Sequence, residues 1–149
     1  MGKVTTSIEI EASPEKVFGF VISEKMHDIA KEFVEGKWTS VGPIGVGSTV
    51  HYIGVHKYNK GEEWNGEVTE FVKNKKLTIY LTGANKRSHD QINSYIFEPT
   101  TKGTKLTMSM EVKMPYSIFG ELFFALLVKR MVKKEYFDKI AGTLKSLET

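Results

Sequence analysis

The C-terminal stretch from Pro115 to Leu147 is the feature that most constrains the fold of this chain. No proline follows Pro115, so a single helix of about 30 residues is possible there, against an average of roughly 11–12. The first half of the stretch is apolar on nearly every side, and the second half is amphipathic. A helix that is apolar all round needs cover all round. We therefore expect a sheet that wraps around this helix, or a cavity between the two.

The residues before this stretch predict one strand, two short helices and then a series of strands. Alternating apolar side chains predict a strand over residues 3–11. Ser13 and Pro14 are typical of a helix N-cap and first turn, and a second short helix is expected over residues 26–33. The strands predicted after these helices are residues 38–41, 49–56, 63–72, 77–82, 89–97 and 105–114.

Strands that follow one another through short turns predict an antiparallel meander. The apolar rows on residues 77–82 and 105–114 need cover, and the C-terminal helix is the element long enough to provide it. The predicted fold class is therefore α+β, with a curved antiparallel sheet of about seven strands around a long C-terminal helix, in a single domain of 149 residues. The helix row predicted to pack as core is Phe124, Val128, Val132, Tyr136, Ile140 and Leu144.

Composition excludes several classes of function. The chain has no cysteine, which rules out disulfides and thiolate chemistry and is compatible with a reducing cytoplasm. Its 21 basic and 18 acidic side chains are too balanced to indicate a nucleic-acid partner. The N-terminus has no apolar signal region, and the longest apolar run, residues 122–128, is far shorter than the roughly 20 residues that span a bilayer. We expect a cytoplasmic protein without stable membrane insertion.

The histidines give no sign of a metal site. His27, His51, His56 and His89 are not spaced as metal ligands, and we expect them at the surface or at the rim of a site. The glycines of Gly42-x-x-Gly-x-Gly lie in a turn between strands rather than before a helix, so they do not predict a nucleotide site. We expect no metal and no cofactor.

Candidates for acid–base chemistry are few. Glu70 shares the alternation of Val68, and on the inner face it would be a possible general acid or base. The solvated, outward orientation is favoured for this carboxylate. Tyr95 and His51 are the other candidates for a polar catalytic pair. The strand with Tyr95 also carries amides among its aromatic residues, which either orient the polar head of a ligand or belong to the wet face of the sheet.

Three segments carry a resemblance to a known family. They are Ile10-Glu-Ala-Ser-Pro-Glu-Lys-Val-Phe-Gly-Phe-Val, Gly45-Val-Gly-Ser-Thr and Gly66-Glu-Val-Thr-Glu-Phe-Val-Lys-Asn-Lys-Lys-Leu. With the ending Leu144-Lys-Ser-Leu-Glu, the chain resembles the START-like (Bet v 1-like, SRPBCC) superfamily and within it the polyketide cyclase/dehydrase-like group. The resemblance implies a helix-grip fold with a cavity between sheet and C-terminal helix. It does not imply one function, because the same scaffold serves carriers, cyclases and regulators.

The expected function is binding of a hydrophobic small molecule, such as a lipid, an isoprenoid or a polycyclic aromatic, in that cavity. The residues predicted to line it are Tyr52, Trp64, Tyr95, Met108, Met110, Phe119, Phe123 and Leu127. Flexible thioethers suit irregular apolar ligands. Lys129 and Lys133 are either part of a solvated helix face or mark the cavity mouth, where they would meet an anionic head group.

Two alternatives remain open at this point. The same cavity would suit a cyclase- or dehydrase-like enzyme that uses a polar pair. The apolar start of the C-terminal helix, Phe119 to Leu127, would instead suit a protein or membrane-surface contact if it were exposed, including contact with a second copy in a homodimer.

Overall fold

The computed structural model describes residues 2–57, 59–113 and 129–148, and in it seven strands form one antiparallel sheet. Strand β1 (Gly2–Ile10) is followed by helices α1 (Pro14–Val21) and α2 (Glu24–Ile29). The remaining strands are β2 (Val34–Trp38), β3 (Thr49–Gly54), β4 (Glu63–Val72), β5 (Lys76–Gly83), β6 (Gln91–Pro99) and β7 (Thr104–Val112). The sheet order is β1-β7-β6-β5-β4-β3-β2, so β2 to β7 form a meander and β1 pairs with the last strand. The predicted α+β fold is confirmed.

The connection between α2 and β2 differs from the prediction. Helix α2 ends at Ile29 rather than at residue 33, because the backbone N–H groups of Phe33 and Val34 both bond to the carbonyl of Ala30 and turn the chain. Strand β2 then begins at Val34, ahead of the predicted residues 38–41. Gly36 lies inside this strand, where a Cβ would collide with the Tyr52 ring. In the sequence alone, a glycine that makes room for a neighbouring ring inside a strand cannot be distinguished from a glycine in a turn.

Helix α1 begins as predicted. The side chain of Ser13 accepts a hydrogen bond of 3.2 Å from a backbone N–H of the first turn, and Pro14 occupies that turn. The helix buries Phe18 against the sheet, with edge-to-face contacts to Phe71 at 5.3 Å and to Phe97 at 5.1 Å. This aromatic cluster fills one end of the space between the sheet and the helices.

The C-terminal helix, here α3, is described over residues 129–148 and is not uniform. It consists of an α-helical turn (Lys129–Val132), a π-helical turn (Lys133–Phe137), an α-helix (Asp138–Leu144) and a final 3₁₀ turn (Lys145–Glu148). The predicted row is buried at Val132, Tyr136, Ile140 and Leu144, whereas Phe124 and Val128 lie outside the described residues.

The π turn was not predicted, and it changes which side chains the helix buries. Phe137, which directly follows Tyr136 and was not part of the predicted row, is 2% exposed. The centre of its ring lies 5.5 Å from the centre of the Tyr136 ring. Wider turns of this kind insert one residue into the helix and often occur near functional sites. None of the helices in the described residues is both long enough and apolar enough to cross a bilayer.

Candidate functional site

A pocket of about 710 Å³ lies between the inner face of the sheet and α3. Its sheet side consists of Val34, Tyr52, Trp64, Leu81, Gln91, Asn93, Met110 and Val112. Its helix side consists of Arg130, Met131, Val132, Lys134, Glu135 and Tyr136. Phe33 and loop residues His56, Lys57, Asn59, Glu62 and His89 complete the described lining. The volume falls in the range of roughly 300–1,000 Å³ that is typical of small-molecule sites.

Two aromatic side chains form one wall of the pocket. Tyr52 and Trp64 are directly opposite each other in β3 and β4, and both are buried. The indole Nε1 of Trp64 donates a hydrogen bond of 2.9 Å to the carbonyl of His89, in the loop before β6. This bond satisfies the polar atom of a buried tryptophan and leaves its rings as apolar surface.

The loop after β3 forms the polar end of the pocket and is held by Asn59. The Asn59 amide Nδ2 donates to the carbonyl of Phe33 at 3.0 Å, and its Oδ1 accepts from the backbone N–H of His56 at 2.8 Å. Asn59 also lies against Gly54, where a Cβ would collide with the Asn59 carbonyl. Asn59 therefore links His56 of this loop to Phe33, which lies just before β2.

Glu62, at the end of this loop, lines the pocket and is partly buried. Desolvation raises the pKa of its carboxyl group to about 7, and the nearby positive charge of Arg87 opposes that rise. A carboxyl group with such a pKa exchanges protons near neutral pH. Glu62 was not a sequence candidate, because nothing in its local pattern shows the burial that shifts it.

The basic residues at the pocket are not the two that the sequence singled out. Arg130 and Lys134 line the pocket, whereas Lys133 is exposed on another side of the helix. The side chain of Lys129 lies outside what the structure describes. Glu135 adds a negative charge to the pocket lining, with its Oε2 4.0 Å from His56 Nε2 and 3.6 Å from Lys139 Nζ.

A second, much smaller cavity of about 20 Å³ shares Val34, Tyr52 and Tyr136 with the large pocket. His27 and Trp38 line it together with Tyr95. The His27 ring is 5.7 Å from the Tyr52 ring in an edge-on arrangement, and its Nε2 is 3.5 Å from the Tyr52 hydroxyl. His27 is therefore an interior residue, and the expectation of a surface or rim position is wrong for it. His27 belongs to α2, which packs against the core and also buries Met26.

Three buried tyrosines, Tyr52, Tyr95 and Tyr136, surround the boundary between the two spaces. Burial raises the pKa of each phenol above its ordinary value, and the tyrosines interact with one another. A phenol with a raised pKa keeps its proton at neutral pH. These groups therefore offer hydrogen-bond donors, not phenolate bases.

The catalytic candidates from the sequence are not brought together. The register of β4 on β5 shifts between Val68 and Glu70, so the extra residue moves Phe71 to the inner face and turns Glu70 outward. Glu70 pairs there with Lys76 at 2.9 Å. His51 also points away from the pocket and contacts Glu63 at 3.1 Å. Glu70 thus has the outward orientation that the sequence favoured, which removes it as a general acid or base in the pocket, and neither residue forms a pair with Tyr95.

The candidate ligand-binding residues fall into four groups. Tyr52, Trp64 and Met110 line the large pocket, and Tyr95 lines the small cavity. Met108 is fully buried beside them on β7. The candidates Phe119, Phe123 and Leu127 lie outside the described residues.

Several pocket residues were not predicted at all, including Asn59, Glu62 and Arg130. They lie in loops or on the polar side of a helix, where the sequence has no alternation to orient them. The amides of β6 were left undecided between an inner and an outer face. Gln91 and Asn93 prove to face inward, with Asn93 only 6% exposed. Within residues 2–57, 59–113 and 129–148, no three His, Asp or Glu side chains come together as metal ligands.

Solved structures show the same fold. TTHA0849 from Thermus thermophilus is 18% identical, with a TM-score of 0.71 over 98% of this chain and 96% of its own. MLL2253 from Mesorhizobium loti is 17% identical, with a TM-score of 0.70 over 99% of both chains. Ms6760 from Mycobacterium smegmatis is 12% identical, with a TM-score of 0.69 over 99% of this chain and 90% of its own. At such identities these likenesses establish the fold alone.

A comparison with curated proteins finds no match to the chain. The family model described as "Polyketide cyclase / dehydrase and lipid transport" matches residues 1–148. That match covers nearly the whole chain and agrees with the seven-stranded sheet and its C-terminal helix. The protein therefore belongs to the polyketide cyclase/dehydrase and lipid transport family.

Proposed function

We propose that this protein binds a hydrophobic small molecule, such as a lipid, an isoprenoid or a polycyclic aromatic, in the pocket between the sheet and α3. The observation that carries the proposal is the 710 Å³ pocket, which brings large apolar side chains of the sheet and of the helix to face the same space. Family membership supports the same general role.

The apolar part of the lining supports this choice of ligand. Trp64, Leu81 and Met110 on the sheet face Met131 and Tyr136 on the helix. Burial of apolar surface against such walls stabilises a complex by about 25 cal/mol per Å². The thioethers of Met110 and Met131 adapt to ligands of irregular shape.

The polar residues of the pocket support an amphipathic ligand. Arg130 and Lys134 of α3 supply positive charge to the pocket lining, and Glu135 of the same helix reaches His56 in the loop after β3. A ligand with its apolar body against the sheet would place a polar or anionic head near this loop. Guanidinium and ammonium groups pair well with such heads.

Two measurements test the binding proposal. Native mass spectrometry of freshly purified protein is expected to show an added mass from a co-purifying molecule. A panel of fatty acids, isoprenoid alcohols and polycyclic aromatics is expected to raise the melting temperature for at least one class, because a ligand that binds the folded state stabilises it. No added mass and an unchanged melting temperature across the panel would contradict the proposal.

A second candidate function, acid–base catalysis on the bound ligand, is favoured by one specific chain of contacts. The Glu24 Oε2 atom is 3.3 Å from His27 Nδ1, and His27 Nε2 is 3.5 Å from the Tyr52 hydroxyl, which borders the pocket. A carboxylate that orients an imidazole, which in turn contacts a hydroxyl, is an arrangement that can relay a proton. Tyr52 would donate a hydrogen bond to a carbonyl oxygen of the ligand, because its raised pKa keeps the phenol protonated.

This candidate is tested with a 1,5-diketone that carries an aromatic tail. Ring closure forms one carbon–carbon bond and releases water, and the conjugated enone is followed by its absorbance. Catalysis by the wild type that is lost in Tyr52→Phe and reduced in His27→Ala would support the relay. Equal rates with and without the wild-type protein would leave ligand binding as the function.

A further inference from the structure

A group of exposed basic side chains lies at the end of the molecule where the large pocket reaches the surface. The loop between β3 and β4 (residues 55–62), the loop between β5 and β6 (residues 84–90) and residues 130–135 of α3 together carry seven Lys or Arg against three Asp or Glu. Lys133 is exposed on another side of the helix. The other six bases, all exposed, are here called the basic rim: Lys57, Lys60, Lys86, Arg87, Arg130 and Lys134.

The fold brings the segments of the basic rim together. The register of β3 on β4 and of β4 on β5 places both loops at the same end of the sheet. The loops touch there, because Asn85 Nδ2 donates a hydrogen bond of 2.9 Å to the carbonyl of Gly61. Lys60 directly precedes Gly61, and Lys86 directly follows Asn85. The two lysines therefore flank one contact between the loops.

The helix contributes its part of the basic rim at the pocket itself. Arg130 and Lys134 line the pocket from α3, and Lys57 lines it from the loop after β3. Because all three side chains are also exposed, the pocket reaches solvent beside them. An apolar molecule that enters or leaves at this point passes the basic rim.

Most of the charge on the basic rim has no partner within the protein. Lys60, Lys86, Arg130 and Lys134 form no ion pair with any described residue. Lys76, on the outer face of β5, shows the contrasting case of a base paired with a glutamate. The four unpaired bases can bind an external anion without breaking an ion pair.

The three acids of the same segments offset this charge only in part. The Glu135 Oε2 atom lies 3.6 Å from Lys139 Nζ, outside the basic rim. Asp90 lies near the positive charge of Lys113. Burial raises the pKa of the Glu62 carboxyl to about 7, so this group is only partly ionised at neutral pH. The pocket end is therefore positively charged at neutral pH.

We propose that the basic rim docks on an anionic lipid bilayer, with the two loops against the head groups and the pocket opening toward the membrane. This inference rests on the proposed binding function and adds where the ligand is exchanged. Molecules that suit an apolar pocket are concentrated in bilayers. A nucleic acid would attract the same charges, but it supplies no apolar molecule to the pocket beside them.

The test measures co-sedimentation with vesicles for the wild type and two double variants. Lys60→Gln with Lys86→Gln removes two charges of the basic rim, and neither residue is in the described lining of the pocket. Lys73→Gln with Lys75→Gln is the matched control. These two lysines are also exposed and form no ion pair with the described residues, but they lie in the turn between β4 and β5, at the opposite end of the strands.

We expect the wild type to bind vesicles made of equal parts phosphatidylglycerol and phosphatidylcholine, and to bind pure phosphatidylcholine at least roughly tenfold more weakly. The rim variant should bind the anionic vesicles roughly 10- to 30-fold more weakly than the wild type, and the control should bind like the wild type. Raising the salt concentration from about 0.05 M to about 0.5 M should release the wild type, because salt screens exposed charges.

Three results would overturn the docking proposal. The first is equal binding of the wild type to anionic and neutral vesicles. The second is an equal loss in the two double variants, which would show that total charge matters and its position does not. The third is tighter binding to duplex DNA of random sequence than to anionic vesicles at equal phosphate concentration, which would assign the basic rim to nucleic acid.

The docking and ligand-binding proposals fail separately. The dissociation constant of 1-hydroxypyrene, a fluorescent polycyclic aromatic, is measured for the same three proteins and is expected to be equal in all of them. Absence of vesicle binding in a wild type that binds 1-hydroxypyrene would overturn docking and leave ligand binding standing. Absence of binding of 1-hydroxypyrene and of every member of the ligand panel would overturn the binding function, and with it the exchange of ligand at the membrane.

Discussion

The indole nitrogen of Trp64 donates a 2.9 Å hydrogen bond to the carbonyl oxygen of His89. The bond joins the middle of the sheet to the loop that precedes β6. Because both residues line the pocket, the bond also ties the wall that contains Trp64 to the loop that contains His89. Trp64 therefore contributes to the site through its position as well as through its apolar surface.

Replacement of Trp64 by phenylalanine should lower both stability and ligand affinity. The variant loses the bond to His89 and part of the packing, and we expect the free energy of unfolding to fall by about 1–3 kcal/mol. Trp38→Phe is a matched control, because Trp38 is also packed against the core but its Nε1 has no partner in the described residues. Urea denaturation measures both variants. An equal loss in the two would show that the bond to His89 contributes little.

Thr104 links β7 to the segment between β1 and α1. Its hydroxyl donates a 2.7 Å hydrogen bond to the carbonyl of Ala12, and the residue is fully buried. Thr104→Val keeps the shape and leaves that carbonyl unpaired, so we expect a loss of about 1–3 kcal/mol in the free energy of unfolding. Thr107→Val, which removes a hydroxyl that contacts Ser7 in an exposed pair, should cost clearly less in the same denaturation experiment.

Two glycine-to-alanine substitutions should have opposite effects on stability. A Cβ at Gly66 would lie 2.5 Å from Leu81 and 2.6 Å from Val50. Gly66→Ala therefore overpacks the sheet and should lower the free energy of unfolding by about 1–3 kcal/mol. A Cβ at Gly19 in α1 meets nothing within 4 Å. Gly19→Ala should therefore raise the free energy of unfolding by about 0.5–1 kcal/mol, because alanine favours the helix more than glycine does. Thermal unfolding followed by circular dichroism checks both signs.

Glu62 should make stability depend on pH. The pKa of its carboxyl group is about 7 in the folded state against 4.5 for the ordinary group. Between these values the folded state binds more protons than the unfolded state, so this contribution to stability is present below pH 4.5 and is lost as pH rises through 7.

The variant Glu62→Gln removes this dependence. It should be more stable than the wild type at pH 8, by about 1–2 kcal/mol after allowance for solvent screening, and should match it at about pH 4. Glu67→Gln, on the exposed face of β4, corrects for the loss of one negative charge. A constant difference between Glu62→Gln and wild type from about pH 4 to about pH 8 would contradict the assigned shift.

The sequence predicted the strands well where one face is apolar throughout. In β7 the alternation of Leu106, Met108 and Met110 is unambiguous, and all three are buried. In α1, Ser13 and Pro14 mark the start of the helix because capping depends on adjacent residues alone. Such signals are local, so one sequence suffices to interpret them.

The site was harder to predict because its features depend on contacts between distant segments. The outward orientation of Glu70 was favoured only because carboxylates are usually solvated, since its actual cause, a register shift against β5, leaves no mark in the sequence of β4. The interior place of His27 depends on its packing against Tyr52 and Trp38. Asn93 lies in a strand with mixed faces, so alternation alone could not say which face is buried.

The central claim, that the large pocket binds a hydrophobic molecule, is tested most directly by filling the pocket. Met110→Trp adds bulk to the pocket floor, whereas Ile96→Trp adds the same ring to the exposed face of β6. Circular dichroism first checks that both variants are folded. The dissociation constant of 1-hydroxypyrene is then measured by fluorescence for the wild type and both variants. Our account predicts that Met110→Trp weakens binding at least tenfold while Ile96→Trp binds like the wild type; equal affinity in all three proteins would contradict it.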